Sequence, residues 1–568
     1  MQKNQFRSLM ILAIAVIALA SCTKTNVQGR LIPKEAAVVI LLDGKSLTTK
    51  LPWDEVKQNA LFKMAYTDST IPPTAKRILD NPENAGIDIK NDLLMFVLKD
   101  SLGIYLAFEG NVKDEKAFKT FNKEITENGT ESEVNGVQYI NKSPLSVGWT
   151  KEKFVYVFNA PAMAGMDDFS RRMMNDSIDI SIHKTRDIGA TCKGIFALAE
   201  GNSLAKNEKF TALMKESGDM RFWMNPDQMT AAGVSNSPLE MLNMDRFLKG
   251  YIITATLNFE NGKIAGTSKT YANGEIADLF KKYSGGKINE EMIKRIPGTD
   301  PMVVMALNFK PEGLKELVKL TNMDGLINIG LSKTGFTLDD FIKANKGDIV
   351  FGLSDFLMKN DTMKFHFKDQ DEVATPYQKP SFNFIFAASI ADKDAFNKLI
   401  NAGKTIGQKQ MPDTSAFPLA YNSNGTYFVM SNTNENVTKY LSTSGTSHDF
   451  ISKINDEPFG GFINIQALLK AFGGIAAKDS LANIAYDASL KMWDKALWKG
   501  GNFKDGGIMQ SFEVNLVDKN TNSLKQLNQY AAKLSEVFRE KKRKMKEDMG
   551  GMEDVQMTFP DTTTHRVK

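Results

Sequence analysis

Two long stretches of this chain carry the same short patterns in the same order, about 250 to 280 residues apart. Leu31-Ile32-Pro33 ahead of Val38 to Leu41 returns as Arg295-Ile296-Pro297 ahead of Met302 to Met305. Ile104 to Phe108, followed by Asp114-Glu115-Lys116-Ala117-Phe118, returns as Phe384 to Ala388, followed by Asp392-Lys393-Asp394-Ala395-Phe396. Phe154 to Asn159 has a partner in Tyr427 to Asn432, and Leu248-Lys249-Gly250 in Trp498-Lys499-Gly500. One such pair could be coincidence, but four in order predict an internal duplication. The chain of 568 residues then divides into a first copy over 31–292 and a second over 293–546.

Local patterns give each copy the same character. Val38 to Leu42 is a short β-branched run suited to a buried strand, and Trp53 through Phe62 has helical spacing after Pro52. Asp92 to Leu98 and Gly103 to Phe108 read as a hairpin. Asp114 caps a helix with Ala117, Phe118 and Phe121 on one face. Val134-Asn135-Gly136-Val137 and Trp149 to Phe154 mark further hairpins, and Tyr251 to Leu257 pairs with Ile264 to Tyr271. The order strand, helix, two strands, helix, strand predicts an α+β fold: two tandem copies of a mixed helix and antiparallel-sheet domain, each with a split βαβ arrangement. A last helix from Leu524 to about Lys546 is expected to pack on its own sheet. Residues 547–568 lack periodicity and read as a disordered tail.

The amino terminus predicts location. Lys3 and Arg7 precede an apolar run from Leu9 to Ala20, too short to span a bilayer, so residues 1–21 read as a secretory signal. Leu19-Ala20-Ser21-Cys22 resembles a bacterial lipobox, in which the cysteine thiol takes a diacylglycerol and becomes the mature amino terminus. Cys22 is therefore the expected lipid (diacylglycerol and palmitate-type acyl) attachment site, with residues 22–30 as tether. Two or three acyl chains, at roughly 0.8 kcal/mol per buried CH₂, suffice for a stable anchor. Apolar content of 42% and charged content of 24% fit a globular body. Net charge is +4, or +2 without Lys3 and Arg7, which predicts no nucleic-acid partner. The one dense basic cluster, Arg539 to Lys546, is interleaved with acids and reads as a solvated helix face. Cys192 is the only other cysteine, so no disulfide framework exists, and beside the strand-like run at Ile195-Phe196 it reads as a buried, inert thiol.

Sites for chemistry are few. His183, His366, His448 and His565 have no His or Cys partner at ligand spacing, so neither a metal nor another cofactor is expected. Ser203-Leu204-Ala205-Lys206, Tyr271-Ala272-Asn273 and Lys333-Thr334-Gly335 resemble the three short motifs of serine penicillin-binding proteins and some β-lactamases. In that family the Ser is acylated and the Lys deprotonates it, which makes an acyl-transfer enzyme acting on peptidoglycan the alternative reading. Against it, the three motifs straddle the junction of the copies, and Lys333-Thr334-Gly335 precedes a capped helix rather than a strand. Gly403-Lys404-Thr405 lacks the first glycine of a P-loop and is expected to end a helix. Asp518, Asn520 and Asn522 suit a helix cap better than a calcium loop. Trp493 and Trp498 could stack on a sugar ring, which would make a glycan-binding lipoprotein, but core packing is the default for both.

Asp followed by Ser or Thr and then an aliphatic residue, Met or Thr occurs at Ser69, Ser101, Ser177, Thr362, Ser480 and Thr562, where composition gives roughly two. This resembles the O-glycosylation acceptor that Bacteroidota use on exported proteins. The lipobox, the Ile-Pro opening before a Val-rich strand and the Asp-x-x-Ala-Phe helices together resemble an uncharacterised Bacteroidota lipoprotein family, a domain of unknown function. That resemblance implies export and anchoring and no catalytic residue. Thr23-Lys24-Thr25-Asn26 lacks the acidic residues that favour surface display, so the periplasmic face of the outer membrane is expected. The expected activity is non-enzymatic: binding an envelope protein or polysaccharide.

Overall fold

A computed structural model describes residues 29–67, 73–100, 102–159, 186–230, 249–298, 300–320, 323–332, 334–365, 373–410, 419–442, 445–476 and 480–548. The signal, most of the tether and the carboxy-terminal tail fall outside it. Helix makes up about 41% and strand about 37%, an α+β protein.

The first half contributes β1 (Val38–Leu42), β2 (Ile87–Asp88), β3 (Leu93–Asp100), β4 (Gly103–Val112), β5 (Thr130–Val134), β6 (Val137–Lys142), β7 (Leu145–Trp149), β8 (Lys153–Asn159), β9 (Met220–Met224), β10 (Ile252–Glu260) and β11 (Lys263–Tyr271). The second contributes β12 (Pro301–Asn308), β13 (Asn345–Phe365), β14 (Val373–Ile390), β15 (Ala420–Ser423), β16 (Tyr427–Ser431), β17 (Phe459–Asn464), β18 (Trp493–Lys504) and β19 (Gly507–Leu516). β1 lies between β3 and β9, and β12 lies between β13 and β17. Outward from β1 the order runs β3-β4-β8-β7 on one side and β9-β10-β11 on the other. Outward from β12 it runs β13-β14-β16-β15 and β17-β18-β19. β11 then pairs with β19, Lys263 to Thr270 against Asn515 to Ile508, so both halves share one sheet. β5 and β15, at its two ends, each pair on one side only.

Every pairing among the described strands is antiparallel, and β1 and β3, which a helical segment joins, are direct neighbours; a split βαβ unit would leave them parallel with another strand between, so that expectation is corrected. The helices instead cover the two faces. Alternation in β1 buries Val39 and Leu41, which join Phe96, Ala107, Val157 and Trp223 in the first core. Val304, Ala306, Val350, Ala387, Val429 and Leu497 form its counterpart in the second half. Helix Glu115–Ile125 begins where Asp114 accepts a bond from Ala117 N at 3.0 Å, and it buries Phe118 and Phe121 on the opposite face. The β5–β6 turn places Asn135 and Gly136 at φ 52° and 78°, the left-handed pair that a two-residue hairpin requires. The helical spacing after Pro52 yields two helices, Trp53–Gln58 and Ala60–Thr67, broken at Asn59.

The terminal helix, Ser523–Asp548, touches the shared sheet at β10. It packs against helix Ser480–Met492 and against Ala60–Thr67 of the first half. Lys525 pairs with Glu55 at 2.6 Å, and Asn59 Nδ2 donates to Asn528 O at 2.6 Å. These partners lie about 470 residues away, beyond what a local amphipathic pattern can report.

β13 and β14 run far past the sheet. β12 pairs with β13 only as far as Ser354, and β16 meets β14 only from Ile385 onward, leaving a two-stranded arm of about 35 Å by strand rise. A bulge at Asp355 (φ 52°) turns the arm away. Asn432 donates to Phe382 O and accepts from Phe384 N, so even-numbered residues of β14 address its outer edge. Pro376 and Pro380 share that parity and bring no N–H to it.

Asp219 ties the first half together. Its side chain is 2% exposed and accepts from Lys50 Nζ at 2.6 Å, Ser46 Oγ at 2.5 Å and Phe259 N at 2.6 Å. Removing one member of a buried, hydrogen-bonded charge pair leaves the others unpaired. Asp219→Ala is expected to cost about 3 to 5 kcal/mol of unfolding free energy, read from denaturant titration.

Candidate functional site

The best-formed concavity in the described residues, about 480 Å³, sits over the β11–β19 seam. Strand register builds its floor in two rows. Asn258, Ala265, Glu513 and Leu497 stand directly opposite one another on β10, β11, β19 and β18, and Thr256, Thr267, Ser511 and Lys499 form the next row. Each half supplies two strands. Lys453 and Ile454 of the short helix Ile451–Ile454 form a wall.

The cleft sets polar side chains among Ala265, Leu497 and Ile454, and Glu513 and Lys499 are each paired. Glu513 accepts from Asn515 Nδ2 at 2.8 Å and from Lys263 Nζ at 3.2 Å, and Lys263 also meets Glu260 at 3.3 Å. Partial burial pushes the Glu513 carboxyl up, but Asn515, Lys263 and Lys453 more than offset it and hold it below the usual carboxylate range. Lys499 Nζ bonds both carboxylate oxygens of Asp456, at 2.8 and 2.9 Å, and Thr256 and Thr267 share a hydroxyl bond of 2.9 Å.

The reverse face of the same strands is apolar. Leu257, Gly266, Phe512, Trp498, Gly461 and Met305 stand opposite one another across β10, β11, β19, β18, β17 and β12. A Cβ at Gly266 would lie 2.4 Å from the Phe512 ring, and one at Gly461 would lie 2.1 Å from the Trp498 ring. The two glycines therefore exist to let neighbouring rings lie flat on the backbone.

Residues 28–370, more than half of the chain, match the family model for a domain of unknown function, DUF4836. The chain belongs to that family. The match ends between β13 and β14, inside the arm. No curated protein matches it. Among solved structures, crystal form I of TP0453 is similar at 12% identity over 44% of this chain and 80% of that one, with a TM-score of 0.22. Crystal form III gives 10% identity over 45% and 85%, also with a TM-score of 0.22.

The residues that the sequence singles out fall mostly elsewhere in this DUF4836 chain. Cys22, Ser69, Ser101, Ser177 and Thr562 lie outside the described residues, as do His183, His366 and His565. Ser480 opens the helix Ser480–Met492, and Thr362 is exposed on the arm. Ser203 is buried, with its hydroxyl donating to Glu200 O at 2.9 Å, while Lys206 pairs with Glu200 at 2.7 Å; Lys333 lies outside the described residues. Thr337 and Asp340 form the capping box of helix Leu338–Ala344 behind it. Gly403-Lys404-Thr405 lies inside helix Lys393–Gln410, not at its end. Asn522 Oδ1 accepts from Leu524 N at 3.0 Å, at the start of the terminal helix. Trp493 packs edge-on against Tyr530 at 5.7 Å, and His448 stacks on Phe450 at 5.6 Å. No helix among the described residues is long and apolar enough to cross a membrane. Nor does any group of three or more His, Cys, Asp or Glu among them suit a metal ion.

Cys192 lies in helix Ile188–Phe196, capped by Asp187, so the run at Ile195-Phe196 is helical and not a strand; the helix packs on β7 and β8. Cys192 is fully buried, and burial pushes its thiol up to about 12. A thiolate is the reactive form. Cys192 should stay unmodified by a disulfide reagent in the folded protein and react after denaturation, as read by mass spectrometry of its peptide. The Glu513 network has a pH signature. A carboxyl held low in the fold stabilises above its unfolded value and loses that contribution as pH falls through its lowered one. Glu513→Gln should therefore lower the thermal unfolding midpoint at neutral pH and matter progressively less as pH falls below the usual carboxylate range.

Proposed function

We propose that this chain is a lipid-anchored envelope protein with two duplicated halves, which binds a polar polymer or partner at the seam cleft without transforming it. The duplication rests on the four ordered sequence matches and on the same strand order around β1 and β12. The anchor rests on Leu19-Ala20-Ser21-Cys22, with the absence of acids after Cys22 favouring the periplasmic face of the outer membrane. Thr362, exposed on the arm, remains the acceptor best placed for O-glycosylation.

One observation carries the binding reading. The cleft offers amide and hydroxyl groups at Asn258, Thr267 and Ser511, while Glu513 and Lys499 are already paired with Lys263 and Asp456. Such a floor suits uncharged, hydroxyl-rich or amide-rich ligands, a polysaccharide strand above all, recognised by hydrogen bonds with low desolvation cost. The protein should be retained on a polysaccharide affinity gel, and Thr267→Trp, which fills the cleft from an exposed position, should pass unretarded at unchanged unfolding temperature. Equal passage of both proteins would defeat the reading. Covalent labelling by fluorescent penicillin, lost in Ser203→Ala, would replace it with acyl transfer. The anchor is checked separately: Cys22→Ala should leave the product unprocessed or free of the membrane fraction.

A further inference from the structure

The terminal helix has two unlike parts. Up to Ser535 it is held: Gln526 and Ser535 are buried, Lys525 and Asn528 grip the first half, and Tyr530 meets Trp493. Past that point no side chain that is described is buried, although the helix runs on to Asp548. Phe538 is 70% exposed, the most exposed large apolar side chain among the described residues. Nothing local repays that exposure.

Helix geometry sets this ring among cations. At about 100° per residue, Arg539, Lys541, Lys542 and Lys546 all fall within about 100° of Phe538, and Met545 falls almost directly below it. Glu540 and Glu547 fall on the far side, and Asp548, the last helical residue, is the one acid near the ring. Residues 538–548 carry six Lys or Arg against three Asp or Glu. A merely solvated face would have no reason to segregate its acids from its one exposed aromatic.

We infer that this helix end lies on an anionic membrane surface, with Phe538 entering the headgroup boundary and the flanking lysines reaching phosphates. An apolar ring flanked by long basic side chains is the pattern of an interfacial helix. Net charge of this sign is complementary to acidic lipid, and the exposed ring gives the contact an apolar part that a soluble polyanion would leave in water. The surface is built from residues other than Cys22 and those of the seam, so its failure would leave both readings untouched.

The test uses the chain without its first 22 residues, which removes the anchor and keeps every residue of the described fold. It should co-sediment with vesicles of phosphatidylcholine mixed with phosphatidylglycerol, weaken as salt rises, and bind pure phosphatidylcholine far less. Lys541→Gln should weaken binding about fivefold, and Phe538→Ser by roughly tenfold, both at an unchanged unfolding midpoint because both side chains are exposed. Equal binding to both vesicle types, or variants that bind as the parent does, would overturn the inference. Capture by a soluble polyanion with no vesicle binding would also overturn it.

Discussion

Eight consecutive residue pairs between β11 and β19 turn two sheets into one. Without that seam each half would end in an open edge rich in unpaired backbone groups, a template for association with other chains. With it, the edge strands of both halves satisfy each other, and residues about 250 positions apart become cross-strand neighbours. The seam also creates two surfaces that neither half owns: the polar cleft on one side and the flat aromatic row on the other. The terminal helix reinforces the join from the opposite direction, reaching Glu55 and Asn59. The halves are thus tied both at the sheet and through helices, which resists their separation by shear as well as by opening.

The seam's flatness depends on what is missing from two side chains. Phe512 and Trp498 stand opposite each other, and their rings lean outward over Gly266 and Gly461, one on either flank. Any larger residue would lift a ring off the sheet and disturb its neighbour, because cross-strand pairs at this spacing move together. Asp219 plays a comparable part deeper in the first half, where a single carboxylate gathers a lysine and a hydroxyl from helix Gly44–Lys50 and a backbone N–H from β10.

Much of the local structure was legible in the sequence. The strand at Val38, the capped helix after Asp114, the Asn135-Gly136 turn and the hairpin closing each half all follow from short-range chemistry: β-branching, capping oxygens, positive φ. Strand pairing was not. The split βαβ reading failed because element order says which pieces exist, while neighbour choice is made by packing across long separations. The stretch around Cys192 misled because a short apolar run such as Ile195-Phe196 fits helix and strand alike, and the cap at Asp187 that decides it lies upstream. The cleft was legible only as a place between halves: its residues, Asn258, Thr267, Ser511 and Glu513, form no motif, and the seam register alone brings them together. The nearest signal was the repeat itself, which implied that matching edges must meet somewhere.

The arm shows what a long exposed hairpin needs in order to stay single. A pair of strands with bare rims is a nucleus onto which a neighbour's backbone could zip, and crowding makes such encounters frequent. Here imino acids at Pro376 and Pro380 strip donors from one rim, and on the other Asp361 claims the N–H of Thr362 at 2.8 Å. The arm can therefore reach well past the body while offering other chains only an interrupted lattice to extend.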